Sequence, residues 1–315
     1  MPNTEALPGA IVSVAAAPSP RGGLLWLAAG VAGLHRSSGQ DGPWQPVRLI
    51  GTEAENSPVP VSAVAIASSE IGEGTGPVIF AASTGIVWRS LDGGSAWTAS
   101  ALPAPAPAVT ALATTPSFRT DRTVFAGSEE DGVMRSEDGG ATWESWNFGL
   151  FDRHVFCLAV SPDYAGDGTL FAGTQIGVFR SGNGGRSWQQ MPFPAEAAPV
   201  LSLCVAPGAT RARSLYAGTE RGGVFASHDG GQTWFCAGAA GQGVNALGIG
   251  RGRGETYQIL AATEEGLISS SDRGETWQEW GRPVEGILCL AAAPGADETV
   301  MVGLAEGGAA WLTRR

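Results

Sequence analysis

The stretch VFCLAVSPDYAGDGTLFAGTQIGVFRSGNGGRSW, Val155 to Trp188, lays out one pattern in order. An apolar run, Val155 to Val160, leads into Ser-Pro and a turn. L-F-A-G-T (Leu170 to Thr174) follows, then a short Gly loop with G-V-F-R-S (Gly177 to Ser181), and last a polar octet ending on Trp188. Short β-branched and aromatic runs, separated by Gly, Pro, Asn and Asp, read as strands joined by tight turns. The stretch therefore predicts four short antiparallel strands, the fourth beginning at the Trp.

The octet recurs along the chain. It reads S-x-D-x-G-x-x-W at Ser90-Asp92-Gly94-Trp97, Ser136-Asp138-Gly140-Trp143, Ser227-Asp229-Gly231-Trp234 and Ser270-Asp272-Gly274-Trp277. A fifth copy, Ser181-Asn183-Gly185-Trp188, carries the amide in place of the acid, and a sixth, Ser37 to Trp44, has decayed to S-S-G-Q-D-G-P-W. The tryptophans Trp44, Trp97, Trp143, Trp188, Trp234 and Trp277 stand 53, 46, 45, 46 and 43 residues apart. A supersecondary unit repeated at this period, without helical periodicity, predicts four-stranded antiparallel sheets arranged around an axis: an all-β propeller.

The units run over 10–50, 61–105, 109–150, 155–195, 200–240, 244–282 and 287–315, in a single domain of 1–315. The last unit stops before an octet can form. Residues 1–9 are placed to supply its missing fourth strand, closing a seven-bladed ring and removing an open sheet edge. Six blades with an irregular closure is the alternative.

The octet has a structural explanation. Its Ser hydroxyl and Asp carboxylate can satisfy turn amides, its Gly can take positive φ, and its Trp can pack between neighbouring elements. A residue needed in every repeat serves what every repeat does, so Asp92, Asp138, Asp229 and Asp272 are expected to shape hairpins and not to hold ligands.

Composition narrows the function. The chain has 315 residues and a formal charge of −11, and all 19 of its basic residues are arginine. No basic run offsets that charge, which excludes nucleic acid and anionic membranes as partners. The absence of lysine excludes P-loop and Schiff-base chemistry. No apolar run is long enough to span a bilayer, and the N-terminus lacks the pattern of a signal peptide, so a soluble, monomeric, cytoplasmic protein is expected. Cys157, Cys204 and Cys289 lie in apolar β-like runs and read as small buried hydrophobes, and with Cys236 they form no C-x-x-C pair. His35, His154 and His228 stand in different repeats, and Asp163 and Asp167 are too sparse for a calcium loop; no metal and no cofactor is expected.

The octets, with SPDYAGDGTLFAGT (Ser161 to Thr174) and G-V-F-R-S after it, resemble the BNR/Asp-box repeat superfamily, in particular bacterial members with sortilin-like or photosystem II stability/assembly factor-like repeats. The resemblance spans nearly the whole chain. It implies a β-propeller whose boxes lie away from the active face. It leaves three functions open, because the superfamily holds sialidases, xyloglucanases, sorting receptors and photosystem assembly factors. These are a non-catalytic scaffold binding a protein, a glycan-binding protein or sialidase-like glycoside hydrolase, and a photosystem assembly factor-like protein.

Sialidases bring an arginine triad, a Tyr/Glu nucleophile pair, an Asp acid/base and an F-R-I-P-like segment. This chain lacks the segment, and Tyr216 occupies the repeat position filled by Phe125 and Phe171 elsewhere. Xyloglucanases place two aspartates across the cleft of a longer double propeller. The family motifs missing here favour the non-catalytic scaffold, and no catalytic residue is assigned. The anionic balance also departs from the basic patch of photosystem assembly members.

The partner is then expected opposite the boxes, on the loops between second and third strands and on the connections between blades. The first set carries Glu129, Glu130, Glu220, Glu264, Glu265 and Glu306, an acidic rim suited to a basic partner. The second carries Trp146, Phe148, Phe151, Phe193 and Trp280, residue types that dominate binding hot spots and stack on sugars. Arg153, Arg221 and Arg282, read as part of the same set, could clamp a carboxylate.

Overall fold

Each repeat folds so that its apolar first run lies innermost and its polar end outermost. In the fourth blade the strands Val155–Val160, Leu170–Thr174, Gly177–Ser181 and Gln189–Gln190 lie side by side in chain order, all antiparallel. The computed structural model describes residues 3–5, 7–19, 22–39, 42–49, 58–67, 76–208, 214–251, 257–294 and 299–314. Blade 1 runs from Ile11–Pro18 to Gln45–Val47 and blade 2 from Ala63–Ala67 to Thr98–Ala101. Blade 3 runs from Val109–Thr114 to Glu144–Ser145, blade 5 from Val200–Val205 to Phe235–Gly238, and blade 6 from Val244–Arg251 to Gln278–Glu279.

Blade 7 combines both ends of the described chain. Ile287–Ala292, Thr299–Leu304 and Ala309–Thr313 form its first three strands, and Asn3–Glu5 lies fourth, with Asn3 opposite Trp311. The result is a ring of seven four-stranded blades. Among the described residues no helix is long and apolar enough to cross a membrane.

The second strand of each blade has neighbours on both faces, which explains why L-F-A-G-T shows no polar alternation. Val124 and Ala126 point into a core shared with Phe80 and Val87 of blade 2, whereas Phe125 points into one shared with Leu170 and Phe179 of blade 4. Period-two alternation therefore sorts side chains between two apolar interfaces. In blades 3 and 4 a single helical turn, Phe118–Asp121 or Tyr164–Asp167, presses one aromatic ring against the previous blade. Phe118 meets Phe80 at 5.6 Å and Tyr164 meets Phe125 at 6.0 Å, both edge to face.

The glycine of A-G-T marks the closest approach of two blades. A Cβ on Gly173 would lie 2.9 Å from the Val200 carbonyl oxygen, and one on Gly218 would lie 2.9 Å from that of Val244. These carbonyls belong to the first residues of the next inner strands, where a β-bulge interrupts the ladder.

The bulges leave acceptors turned toward the preceding blade, and side chains meet them around the ring. Thr110 Oγ1 donates to the Val155 carbonyl, Cys157 Sγ to Val200 at 3.8 Å and Ser202 Oγ to Val244 at 3.5 Å. Asn245 Nδ2 donates to Ile287 at 3.0 Å and Cys289 Sγ to Ile11 at 3.3 Å. Ser13 Oγ accepts from the Val64 amide at 3.1 Å, and Thr114 Oγ1 donates to the Ile66 carbonyl at 3.3 Å. Every junction between neighbouring blades thus has a hydrogen bond beside the central axis. Burial raises the Cys157 and Cys289 thiols to about 12 and pushes Cys204 up as well, which keeps all three protonated. Cys236 differs, lying exposed on an outer strand.

Candidate functional site

The boxes occupy the turns between third and fourth strands, and their polar atoms are consumed there. In the blade 3 copy Ser136 Oγ donates to Asp138 Oδ1 at 2.8 Å and accepts the Gly140 amide at 2.8 Å. Asp138 Oδ1 also accepts the amides of Ala141 and Thr142 at 2.8 and 2.9 Å, and Oδ2 accepts the Thr142 hydroxyl at 2.6 Å. The copies at Ser90, Ser227 and Ser270 repeat the Ser bonds, and Asn183 accepts from Ser181 and from the Ser187 amide through Oδ1, both at 2.9 Å. In the decayed copy Ser37 Oγ turns to the Gly42 carbonyl at 2.7 Å. Gln40 and Asp41 of that copy lie outside the described residues.

These bonds set the acidity of the boxes. For Asp229 and Asp272 the hydroxyls and amides of Thr233 and Thr276 hold the carboxyls down at about 2. Asp138 also comes down to about 2: desolvation works the other way, and the Thr142 hydroxyl and amide overcome it. Asp92 is lowered chiefly by the Ala96 amide. The Trp indoles serve the ring as well. Trp188 Nε1 donates to the Trp146 carbonyl at 2.8 Å and Trp277 Nε1 to Ala237 at 2.9 Å, each in the preceding repeat. Arg89 reaches the Asp138 and Gly139 carbonyls of the next box at 3.3 and 3.0 Å. Each described box carboxylate accepts hydrogen bonds from its own turn.

The opposite end is built from the connections between blades and the loops joining second and third strands. The two sets are tied together: Gly132 donates to the Arg153 carbonyl at 3.1 Å, Glu220 to Pro199 at 3.2 Å and Ala305 to Gly286 at 2.9 Å. Glu129, Glu130, Glu220, Glu264, Glu265 and Glu306 are all exposed on this end, spread over blades 3, 5, 6 and 7.

Two of the expected binding aromatics are turned inward, and a third is held in a crevice. Trp280 is only 2 % exposed, because it fills the core between blades 6 and 7 beside Leu267 and Leu312. Phe193 packs on Phe225 at 5.4 Å and Trp234 at 5.1 Å, which leaves it half-buried. Trp146 is half-buried as well, with the guanidinium of Arg135 4.3 Å and that of Arg186 5.7 Å from its ring. These three rings pack at blade junctions, Trp280 buried and Trp146 and Phe193 half-buried.

The three arginines stand on three different loops. Arg153 and Arg282 are exposed on different connections. Arg221, read from sequence with the connections, sits in the blade 5 loop between second and third strands, 3.9 Å from Glu220.

Phe148 and Phe151 remain outward, at 81 % and 68 % exposure. Their connection, residues 146–154, is fastened on three sides. Asn147 accepts the Val133 amide through Oδ1 at 2.7 Å and donates through Nδ2 to the Asp131 carbonyl at 2.8 Å. The Phe148 carbonyl accepts the Trp188 amide at 2.8 Å, which sets Phe148 against the outer strand of blade 4. Buried Asp152 accepts the Ile176 amide through Oδ2 at 3.0 Å and the His154 amide through Oδ1 at 3.1 Å. Leu150 is buried under the loop with Phe179, and the Phe151 ring meets Phe179 at 5.0 Å. Gly132 has φ 75°, and a Cβ there would run into the Asn147 amide.

Sequence reasoning missed three members of this arrangement, Asn147, Asp152 and Ile176. Ile176 carries the one detectable signal, an aliphatic residue at a turn tip where blades 3, 5 and 6 place acids. Among the described residues no group of His, Cys, Asp and Glu side chains is disposed to hold a metal.

The model of the family described as photosynthesis system II assembly factor YCF48 matches residues 108–314. No curated protein matches the chain. Among solved structures it is similar to YCF48 bound to a D1 peptide, with TM-score 0.68 and 15% identity over 99% of this chain and 97% of that one. It is also similar to the extracellular domain of BT4673 from B. thetaiotaomicron, with TM-score 0.69 and 15% identity over 98% of this chain and 39% of that one. A GH74 xyloglucanase from Xanthomonas campestris gives TM-score 0.68 and 16% identity over 100% of this chain and 54% of that one. At these identities the likeness is one of fold, a BNR-type β-propeller.

Proposed function

The chain belongs to that assembly-factor family, and from this premise we propose that it is a non-catalytic propeller that binds a protein segment on the face opposite its boxes. One observation carries the proposal. Of the connections that bear aromatics and are described in full, 191–199 and 280–286 fold theirs inward, and 146–154 holds Phe148 and Phe151 in water on a hydrogen-bonded base. Large apolar side chains exposed on a rigid support are costly for a free surface and suited to burial by a partner. The peptide-bound structure among the relatives supports a peptide as the class of ligand.

A glycosidase would need two free carboxylates beside a group that orients the sugar. Here the box carboxylates are engaged by their own turns, and Arg221 lies beside Glu220. Two measurements test the proposal. Fluorogenic sialosides and glucosides should not be turned over by the purified chain. Peptides selected from a random library should protect the amides of Gly132 and Ile176 from hydrogen exchange and leave those of Gly94 and Gly231 unchanged. Turnover that survives Asp138→Asn, or protection confined to the boxes, would overturn it.

A further inference from the structure

We propose that the docking surface is the shoulder between blades 3 and 4, and that its occupant is an extended peptide carrying apolar side chains next to basic ones. The inference rests on the protein-binding function proposed above and narrows it to one sector and one chemistry. Of the seven large hydrophobic residues exposed among the described residues, Phe148, Phe151 and Ile176 lie here, and the Ile176 amide is bonded to the residue that follows Phe151. The other four, Val12, Val31, Leu91 and Phe235, lie on blades 1, 2 and 5.

The base of the patch is already ordered before anything binds. Asn147, Asp152 and the carbonyls of Phe148 and Arg153 fix the connection to blade 3 on one side and blade 4 on the other. A ligand would therefore lose its own freedom while the protein loses little, which favours a tight site of modest area.

Charge selects the occupant. The turn Glu129–Asp131 is latched to the same connection by Asn147 and Arg153, and Glu129 and Glu130 are exposed without an ion pair among the described residues. Against these acids the sector sets two exposed guanidiniums, Arg153 and, over the Trp146 ring, Arg186; Arg135 is paired with Glu137, and His154 is half-buried, its Nδ1 3.4 Å from Asp152 Oδ1. Glu129, Glu130, Asp131 and Asp152 outnumber Arg153 and Arg186 beside the phenylalanines, within a chain whose formal charge is −11. An apolar anchor flanked by Arg or Lys meets both features, and an acidic segment or an anionic lipid surface meets a repulsive field.

The test uses the full chain and a random-peptide library, with selected peptides synthesised in native and charge-reversed forms. Enriched sequences should combine aromatic or aliphatic residues with Arg or Lys. Phe148→Ala should weaken them at least about tenfold, as expected when a hot-spot ring is lost. Glu129→Gln with Glu130→Gln should weaken them about threefold and flatten the salt dependence, whereas Glu264→Gln with Glu265→Gln should leave them unchanged. Phe148 is so exposed that its variant should unfold at the wild-type midpoint, which separates lost binding from lost fold.

Acidic enriched peptides, or affinity insensitive to Phe148→Ala, would overturn this inference. If such peptides still protect the loop face in exchange, the broader function stands without it. Failure to select any peptide, or oligosaccharide binding alone on an array, would sink both.

Discussion

At the box end Ser90, Ser136, Ser181, Ser227 and Ser270 all donate to a side-chain oxygen two residues on and accept an amide four residues on, each bond between 2.7 and 2.9 Å. Among the connections between blades no two that bear aromatics share a packing plan: Trp280 is swallowed by a core, Phe193 leans on two rings, and Phe148 stands in water. The contrast teaches where to look in a repeat protein. Atoms that do the same thing in every blade are used up by the architecture, and a departure at one blade, held in place by its own hydrogen bonds, is available for something else.

Substitutions at the two ends can break that contrast. The largest effect is expected beneath the boxes, at Phe125, which is fully buried against Tyr164 of the next blade. Phe125→Ala should cost about 3–5 kcal/mol by urea denaturation; a loss below about 1 kcal/mol would mean the interface collapses around the gap. Next comes Ser136→Ala, which deprives the buried Gly140 amide of its acceptor and Asp138 of a donor. About 1–3 kcal/mol should be lost.

Smaller is the effect of replacing Asp138, Asp229 and Asp272 by Asn together, because Asn183 already fills that role in blade 4. Its signature is in the pH dependence. The carboxyls titrate at about 2 when folded and at about 3.9 in an unfolded chain. Their contribution is therefore complete above the unfolded value and disappears as pH falls toward 2. The triple variant should lose midpoint at pH 6 and then show a flatter acid limb than wild type; parallel acid limbs would remove the boxes from the account. Smallest of all is Phe148→Ala with Phe151→Ala, expected to shift stability by no more than about 0.5 kcal/mol. A loss above about 2 kcal/mol would make these rings structural, and the two ends would cease to differ in kind.

The blades were legible because each is announced locally. The Ser and Asp of the octet define a turn whose bonds reach no more than four residues, so the octet carries its own geometry. The seven-bladed ring was readable from the boxless last unit. The candidate site was legible only in part. Phe148, Phe151 and the acidic turn at Glu129 were visible as residue types, but whether an aromatic points out or in depends on neighbours far along the chain. Trp280 is buried by Leu312 of the next blade, and Phe193 is covered by Phe225 and Trp234. Asn147 went unrecognised because its partners, Val133 and Asp131, are fourteen and sixteen residues away and both contacts are to backbone.

The hydrogen bonds beside the axis bear on how such a ring tolerates drift. The acceptor at most junctions is a main-chain carbonyl, which no substitution can remove, and the donors are Thr110, Cys157, Ser202, Asn245 and Cys289, unlike in size and acidity. Any small side chain with a proton to give can occupy the position, so each repeat can wander in sequence without losing its grip on the next. Closure of the circle is thus stored in the shape of the backbone, and the side chains are left free to diverge at the rim.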